Sequence, residues 1–490
     1  MSNSKTMKTV WWILAFILIA LVVAILILGL PRLRQDPNAA NKLIDEAQTL
    51  FSDYEFAKAM SKYRKAMEVD SGNSQIYLGM SEIYLLKNRI SDAKDVLEVG
   101  RKNARDKSRI LEELGRIALL EFDYKSALEY LESAHRADSQ NHSAKYYLSL
   151  AYVANAQLDE ARRYLDIPEE VGDLWVRSEL LKAILLGNRT DAASRILSSI
   201  AKAPISDEDL KTSVSNYQAL LEKVQSLDSE ERSEKYVDVI LASGALEFGY
   251  PHVVLNRLER YKDDDEYWEL SLYLGWAYYL TGDVKSASGY LKNSSVLNPV
   301  GNSAPWILGR INEQEGDISA MSESYLRAIS VSQHEDKVSI RKEYAVLLVK
   351  HGKYGEAVDQ YEILIAEDPD NLFEYQLLQA EVYMRRDLPD EANIAIGKIN
   401  ESALPDELLA RLYYLRAWIH LVRSDLDISR NWVDQAISLD ASVPEYRFVS
   451  GQLYFESGDV DKARKEFERS IDLDLEGSVS IRAERFLDRL

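Results

Sequence analysis

The sequence predicts an all-α protein: a solenoid of about twelve stacked helical hairpins, preceded by one N-terminal transmembrane helix. Three observations predict it. Small residues fall in pairs twelve apart that recur every 34 residues, at Ala47/Ala59, Ser81/Ala93, Gly115/Ala127 and Ser149/Ala161. The beat returns at Gly275/Ala287, Ala345/Ala357, Ala380/Ala392 and Gly451/Ala463. A fixed period of this length marks units that each bury an apolar face on the next. Third, residues 9–30 form an uncharged run rich in Leu, Ile and Val.

Along the chain, residues 1–8 are a short basic head with Lys5 and Lys8. Residues 9–30, as a helix, span about 33 Å, enough to cross a hydrocarbon core. Trp11 and Trp12 mark one interface, and Pro31 ends the helix at the other. A cleavable signal peptide needs a shorter apolar core and a small-residue cleavage site, which Gly29-Leu30-Pro31-Arg32 does not offer. Lys and Arg nearly balance across the segment, and a short basic head before an apolar run points to export of the chain beyond it. The sequence is therefore read as a single-pass inner-membrane protein with its repeats on the extracytoplasmic, periplasmic side.

Residues 31–39 are a polar linker with Pro31 and Pro37, and residues 40–203 a first arm of repeats. The unit at 108–141 is the clearest: a helix over Ser108–Glu121 carries Leu111, Leu114, Gly115 and Ala118 on one face. A turn at Phe122 leads to a second helix over Tyr124–Ala137, with Ala127, Leu131 and Ala134 inward. Small residues at the crossing let two helices approach closely. The large residue four positions after the Ala (Tyr63, Leu131, Leu291, Tyr361, Phe467) fills the space behind. Across 204–266 the beat lapses into an irregular helical segment, open to two readings: a degenerate repeat with a longer helix, or a bend between two arms. Residues 267–475 are the second arm, and 476–490 a capping helix for the last apolar face.

The residues Leu274-Gly275, Tyr278, Ala287, Leu291 and Pro299, with Gly451, Tyr454, Ala463 and Phe467, resemble the pattern of the tetratricopeptide repeat family. Ser271 stands where the family's early Trp belongs. The resemblance, to membrane-anchored bacterial members in particular, implies a right-handed superhelical solenoid. It implies a concave groove lined by the first helix of each hairpin. The chaperone-binding members use a Lys/Asn clamp in their first repeats; Ile44 and Gln48 occupy those positions here, so that role does not carry over.

Composition narrows the chemistry. No cysteine is present, which excludes disulfides, thiolate metal sites and a cysteine nucleophile. All 80 acidic residues lie beyond residue 35, against 59 basic residues in the whole chain, and such a surface repels phosphate backbones. His135, His142, His252, His334, His351 and His420 form no metal-ligand spacing, and no nucleotide-binding or nucleophile motif occurs. No catalytic residue, cofactor or metal is expected.

The candidate partner-binding groove comprises Trp276, Tyr279, Trp306, Arg310, Lys342, Arg385, Arg411, Tyr414, Trp418, Phe448 and Phe455. Aromatic and Arg residues dominate binding hot spots, and the basic members suit an acidic ligand. The equivalent first-arm positions (Gln48, Glu82, Arg116, Leu150) are less aromatic. The expected function is a membrane-anchored scaffold that binds protein partners in assembly of a cell-envelope machine for secretion, pili or polysaccharide. The alternatives are a cytoplasm-facing adaptor that recruits soluble proteins, and an enzyme with an unrecognised site.

Overall fold

The computed structural model describes residues 37–228, 233–264, 267–397, 399–475 and 477–490, in which 26 α-helices succeed one another without a strand. What makes a hairpin of each pair is the turn. A residue in the left-handed region recurs on the 34-residue beat at Tyr54, Asn88, Phe122 and Ala156, with φ between 52° and 62°. Each closes a six-residue backbone loop, as in Asp123 N donating to Ala118 O at 2.9 Å and Gln157 N to Tyr152 O at 2.9 Å. Later in the chain glycine holds the same place, at Gly282, Gly316, Gly352 and Gly458. The next residue caps the following helix: Asp123 accepts from Ser126 N, Asp283 from Ser286 N and Asp459 from Lys462 N.

The chain divides into two compact units at Ile110/Leu111. The first holds α1 (Pro37–Ser52), α2 (Phe56–Val69), α3 (Ser74–Leu86) and α4 (Ile90–Asn103) around Ile44, Ala59, Tyr63, Ala66 and Ile76. Its far end is tied by Asp70, fully buried, which pairs bidentately with Arg105 at 2.8 and 2.7 Å and accepts from Gly72 N.

The second unit takes up α5 (Ser108–Leu120), whose first turn carries the boundary, and α6 (Tyr124–Ala137), α7 (His142–Ala154), α8 (Leu158–Tyr164), α9 (Asp173–Leu185) and α10 (Thr190–Ile200). Next come α11 (Glu208–Ser226), α12 (Glu234–Glu247) and α13 (Pro251–Leu258). The regular pairs resume with α14 (Trp268–Leu280) and α15 (Val284–Leu297), α16 (Ser303–Gln314) and α17 (Ile318–Val331), and α18 (His334–Lys350) and α19 (Tyr354–Glu367). The chain closes with α20 (Leu372–Arg385) and α21 (Pro389–Ile396), α22 (Asp406–Val422) and α23 (Leu426–Leu439), α24 (Pro444–Glu456) and α25 (Val460–Leu473), and α26 (Ser480–Leu487). Crossing geometry explains the small residues. A Cβ on Gly275 would stand 2.7 Å from Leu291 Cγ, and one on Gly451 2.6 Å from the Phe467 ring. The large residue four after the Ala thus fills the volume that the glycine vacates.

The described residues of 204–228 and 233–264 are bound into the largest core of the unit, which extends from Ala118 through Tyr217, Leu241 and Val254 to Ala277. The segment around α13 reaches back to earlier repeats. Tyr250 and Tyr146 share a hydroxyl–hydroxyl hydrogen bond of 3.0 Å, and the His252 ring meets Tyr124 edge-on at 4.5 Å. Arg257 donates to Ile184 O at 2.9 Å and lies beside Asp238, which is 2% exposed and accepts from Arg260 and Tyr261. Burial pushes the His252 imidazole down to about 4.

The localisation read from the sequence is corrected. Among the described residues no helix is long and apolar enough to cross a membrane. Each repeat helix has an apolar face interrupted by charged positions, so none offers the run of about 20 apolar residues a span requires. The expected transmembrane helix at 9–30 lies outside the described residues. The exported, inner-membrane placement, and the envelope machine inferred from it, lose their support.

Candidate partner-binding surface

The first helix of each regular hairpin in the second unit carries the candidate residues: α14, α16, α18, α20, α22 and α24. Neighbouring first helices are cross-linked by polar contacts about one repeat apart in sequence. Gln314 on α16 donates to the Tyr279 hydroxyl on α14 at 3.2 Å. Arg310 on α16 forks onto Glu343 on α18 at 2.8 and 2.9 Å, with the Trp306 indole N–H donating to the same carboxylate at 3.1 Å and the Tyr325 hydroxyl at 2.5 Å. The Arg310 guanidinium also lies over the Trp306 ring, 4.3 Å from its centre. Lys342 on α18 pairs with Glu374 on α20 at 2.7 Å, and Arg411 on α22 grips Glu381 on α20 at 2.7 and 2.8 Å. Glu313 on α16 pairs with Lys350 and His351 at 2.9 Å each.

This ladder sets the electrostatics. Burial by itself would raise the Glu343 carboxyl, but the hydrogen bonds from Arg310, Tyr325 and Trp306 outweigh it and hold it below the ordinary glutamate range. Burial opposes the charge on Arg411, and the Glu381 carboxylate more than restores it, raising the guanidinium above its usual value. Three of the four expected groove cations, Arg310, Lys342 and Arg411, are therefore neutralised within the array. They join repeat to repeat, and the acidic ligand expected from them has no such free set of charges to meet. Arg385 is exposed at the end of α20 and borders a cavity of about 230 Å³ with Arg411, Tyr414, Glu407 and Glu445. Burial pushes the Glu445 carboxyl above its ordinary range, and the two arginines beside Glu381, Glu407 and Glu445 make this second cavity mixed in charge.

Two further expectations are corrected. Phe448 is 2% exposed, and Phe448 and Phe455 pack on Phe486 of α26 at 5.8 and 5.3 Å. The terminal helix covers them, and with Phe467 they form the closing core instead of a groove. Tyr414 is likewise buried, set between Trp418 at 5.8 Å and Tyr446 at 5.1 Å, while Trp418 is half-buried against the same core.

What remains open is the region of Trp276. Trp268, Leu272 and Trp276 stand at i, i+4 and i+8 on α14 and so form one stripe. With Tyr273 they wall a cavity of about 430 Å³, completed by Ser243 and Glu247 of α12, Ser294 and Asn298 of α15, and the start of α16 at Ser303 and Ala304. Among the described residues nothing accepts a hydrogen bond from either indole N–H, and no Lys or Arg lies over the three rings. Sequence reasoning named only Trp276; the stripe of Trp268, Leu272 and Trp276 was the signal that could have found the cavity. Among the described residues no cluster of His, Asp and Glu is arranged to hold a metal ion.

Comparison with known proteins agrees with the repeat pattern. Family models described as tetratricopeptide repeat match residues 50–113 and 118–173, and residues 414–474. The chain is similar in structure to Naa15/Naa10 bound to HypK-THB, at 13% identity over 92% of this chain and 91% of that one, with a TM-score of 0.38. Yeast Tom70 gives 15% identity over 92% and 96% with a TM-score of 0.35, and Pseudomonas aeruginosa pilF 15% over 47% and 99% with a TM-score of 0.32. At such scores these likenesses carry no functional argument. No curated protein matches the sequence. The spaced small residues, the recurring left-handed turn and the family models agree: the chain belongs to the tetratricopeptide repeat family.

Proposed function

We propose that this protein is a non-enzymatic scaffold that holds a segment of a partner protein against α12, α14 and α16, where the cavity walled by Trp268, Tyr273 and Trp276 opens. Repeats of this family are typically protein-interaction scaffolds, and stacked hairpins present long surfaces without a preformed interior cleft for chemistry. The observation that carries the reading is the contrast within one array. Arg310, Lys342 and Arg411 are engaged by neighbouring repeats, while among the described residues no cation lies over the three rings at the cavity. Its volume of about 430 Å³ falls in the range of pockets that bury a guest, and half-buried Trp and Tyr are the side chains most often found at binding hot spots.

The test is recovery of partners on the immobilised full chain, compared between wild type, Trp276→Leu and Arg310→Met, with helicity checked by circular dichroism. Loss of the partner from Trp276→Leu and its retention by Arg310→Met is the expected result. Full retention by a helical Trp276→Leu variant overturns the assignment of the surface.

A further inference from the structure

We infer that the cavity at Trp276 receives a lysine or arginine side chain from a basic segment of the partner, a reading that rests on the cavity being the contact surface. Three observations carry it. The first is how this chain treats several of its half-buried rings. Lys235 lies 5.3 Å from the centre of Tyr267, Arg310 4.3 Å from Trp306 and Arg416 4.8 Å from Trp432. Each places a cation against the negative face of a ring, an arrangement that gains most when the ring is partly desolvated. Trp268, Tyr273 and Trp276 offer the same faces with no cation supplied from within the described residues.

The second is the charge of the walls. Among the described residues no basic residue lines the cavity, and Glu247 does. Glu247 is exposed, and only one of its oxygens is engaged, by the Asn216 amide. Glu269, one position beyond Trp268, is close enough for its charge to act on the hydroxyls of Tyr267 and Tyr273. Its Oε2 is buried and accepts no hydrogen bond. A carboxylate guest would meet Glu247 as a like charge, whereas a guanidinium or ammonium would find the ring faces and an acceptor at the rim.

The third is the field of the whole molecule. A net charge of −21 draws basic segments toward the surface and repels acidic ones. Rings, a rim carboxylate and the long-range field thus select the same guest.

The experiment selects random displayed peptides on the full-length chain, with counter-selection on Trp276→Leu. Peptides that depend on the cavity should share a Lys or Arg. They should bind Trp276→Leu about tenfold more weakly. The variant Glu247→Gln, at an exposed position that keeps its shape, should weaken them about threefold, with added salt erasing that difference. Peptides that depend on the cavity through Leu, Phe or Met, with no shared basic residue, overturn the cationic guest and leave the scaffold surface standing. Peptides insensitive to a helical Trp276→Leu overturn both. Should Trp276→Leu lose helicity, Glu247→Gln decides: unchanged binding of a basic peptide overturns the inference.

Discussion

Replacing Glu343 by Gln tests whether the cations on the first helices hold the array together or wait for a ligand. The carboxylate receives two bonds from Arg310, one from Trp306 and one from Tyr325. Gln keeps one carbonyl acceptor and turns an amide N–H toward the guanidinium. Exposed ion pairs are worth about 0–1 kcal/mol and breaking buried ones costs about 3–5 kcal/mol. With the Arg310 side chain 40% exposed and that of Glu343 28%, the loss should fall between those limits, at about 2 kcal/mol. Urea unfolding of the full chain, followed by circular dichroism, reads it as an earlier transition. Hydrogen exchange places it, because amides of α16 and α18 should lose protection before those of α2 and α3. The acid limb adds an independent check. The Glu343 carboxyl is held below its ordinary value, so its contribution is fully present above the unfolded glutamate pKa and is lost as pH falls through the folded one. Glu343→Gln should flatten that part of the stability profile. A variant within about 0.5 kcal/mol of wild type, with an unchanged acid limb, would refute the structural role.

Two other outcomes rest on particular contacts. His252, kept neutral by burial with a pKa of about 4, gives up stability as pH falls from the unfolded histidine value near 6.5 toward 4, because the unfolded chain then binds the extra proton. His252→Phe should remove that slope in a stability profile over the same range, and a persisting slope would contradict it. Ala156 sits at φ 60°, a conformation that costs an L-residue about 1–2 kcal/mol, so Ala156→Gly should raise the stability by up to about 1 kcal/mol after the entropy of glycine is counted. A lowered urea midpoint would show that the turn is not strained.

The repeat was legible because its small residues are steric necessities: wherever Leu291 or Phe467 packs, only Gly275 or Gly451 leaves room. The left-handed turn position was half legible. Glycine marks it at Gly282, Gly316 and Gly458, but Tyr54, Phe122 and Ala156 adopt the same conformation without the residue that favours it. Groove residues were the least legible, since offset from a crossing residue fixes a face and not what lies on it. Arg310 and Arg411 meet carboxylates one repeat away, and Phe448 meets Phe486 of the last helix. The contacts of Arg257, Tyr250 and His252 with α6, α7 and α9 link residues as far as 128 positions apart, beyond any repeat-based pattern.

If partners meet this chain at the Trp276 cavity while the inter-repeat ion pairs only join the repeats, crosslinking should report it. A photoreactive side chain is placed at Asn298, in the wall of that cavity, and separately at Arg385 in the second cavity and at Lys292, which is exposed on α15. Irradiated in the native host, Asn298 should yield a discrete partner adduct, with Arg385 and Lys292 yielding none. An adduct formed from Arg385 and absent from Asn298 would put the contact at the second cavity and contradict the assignment.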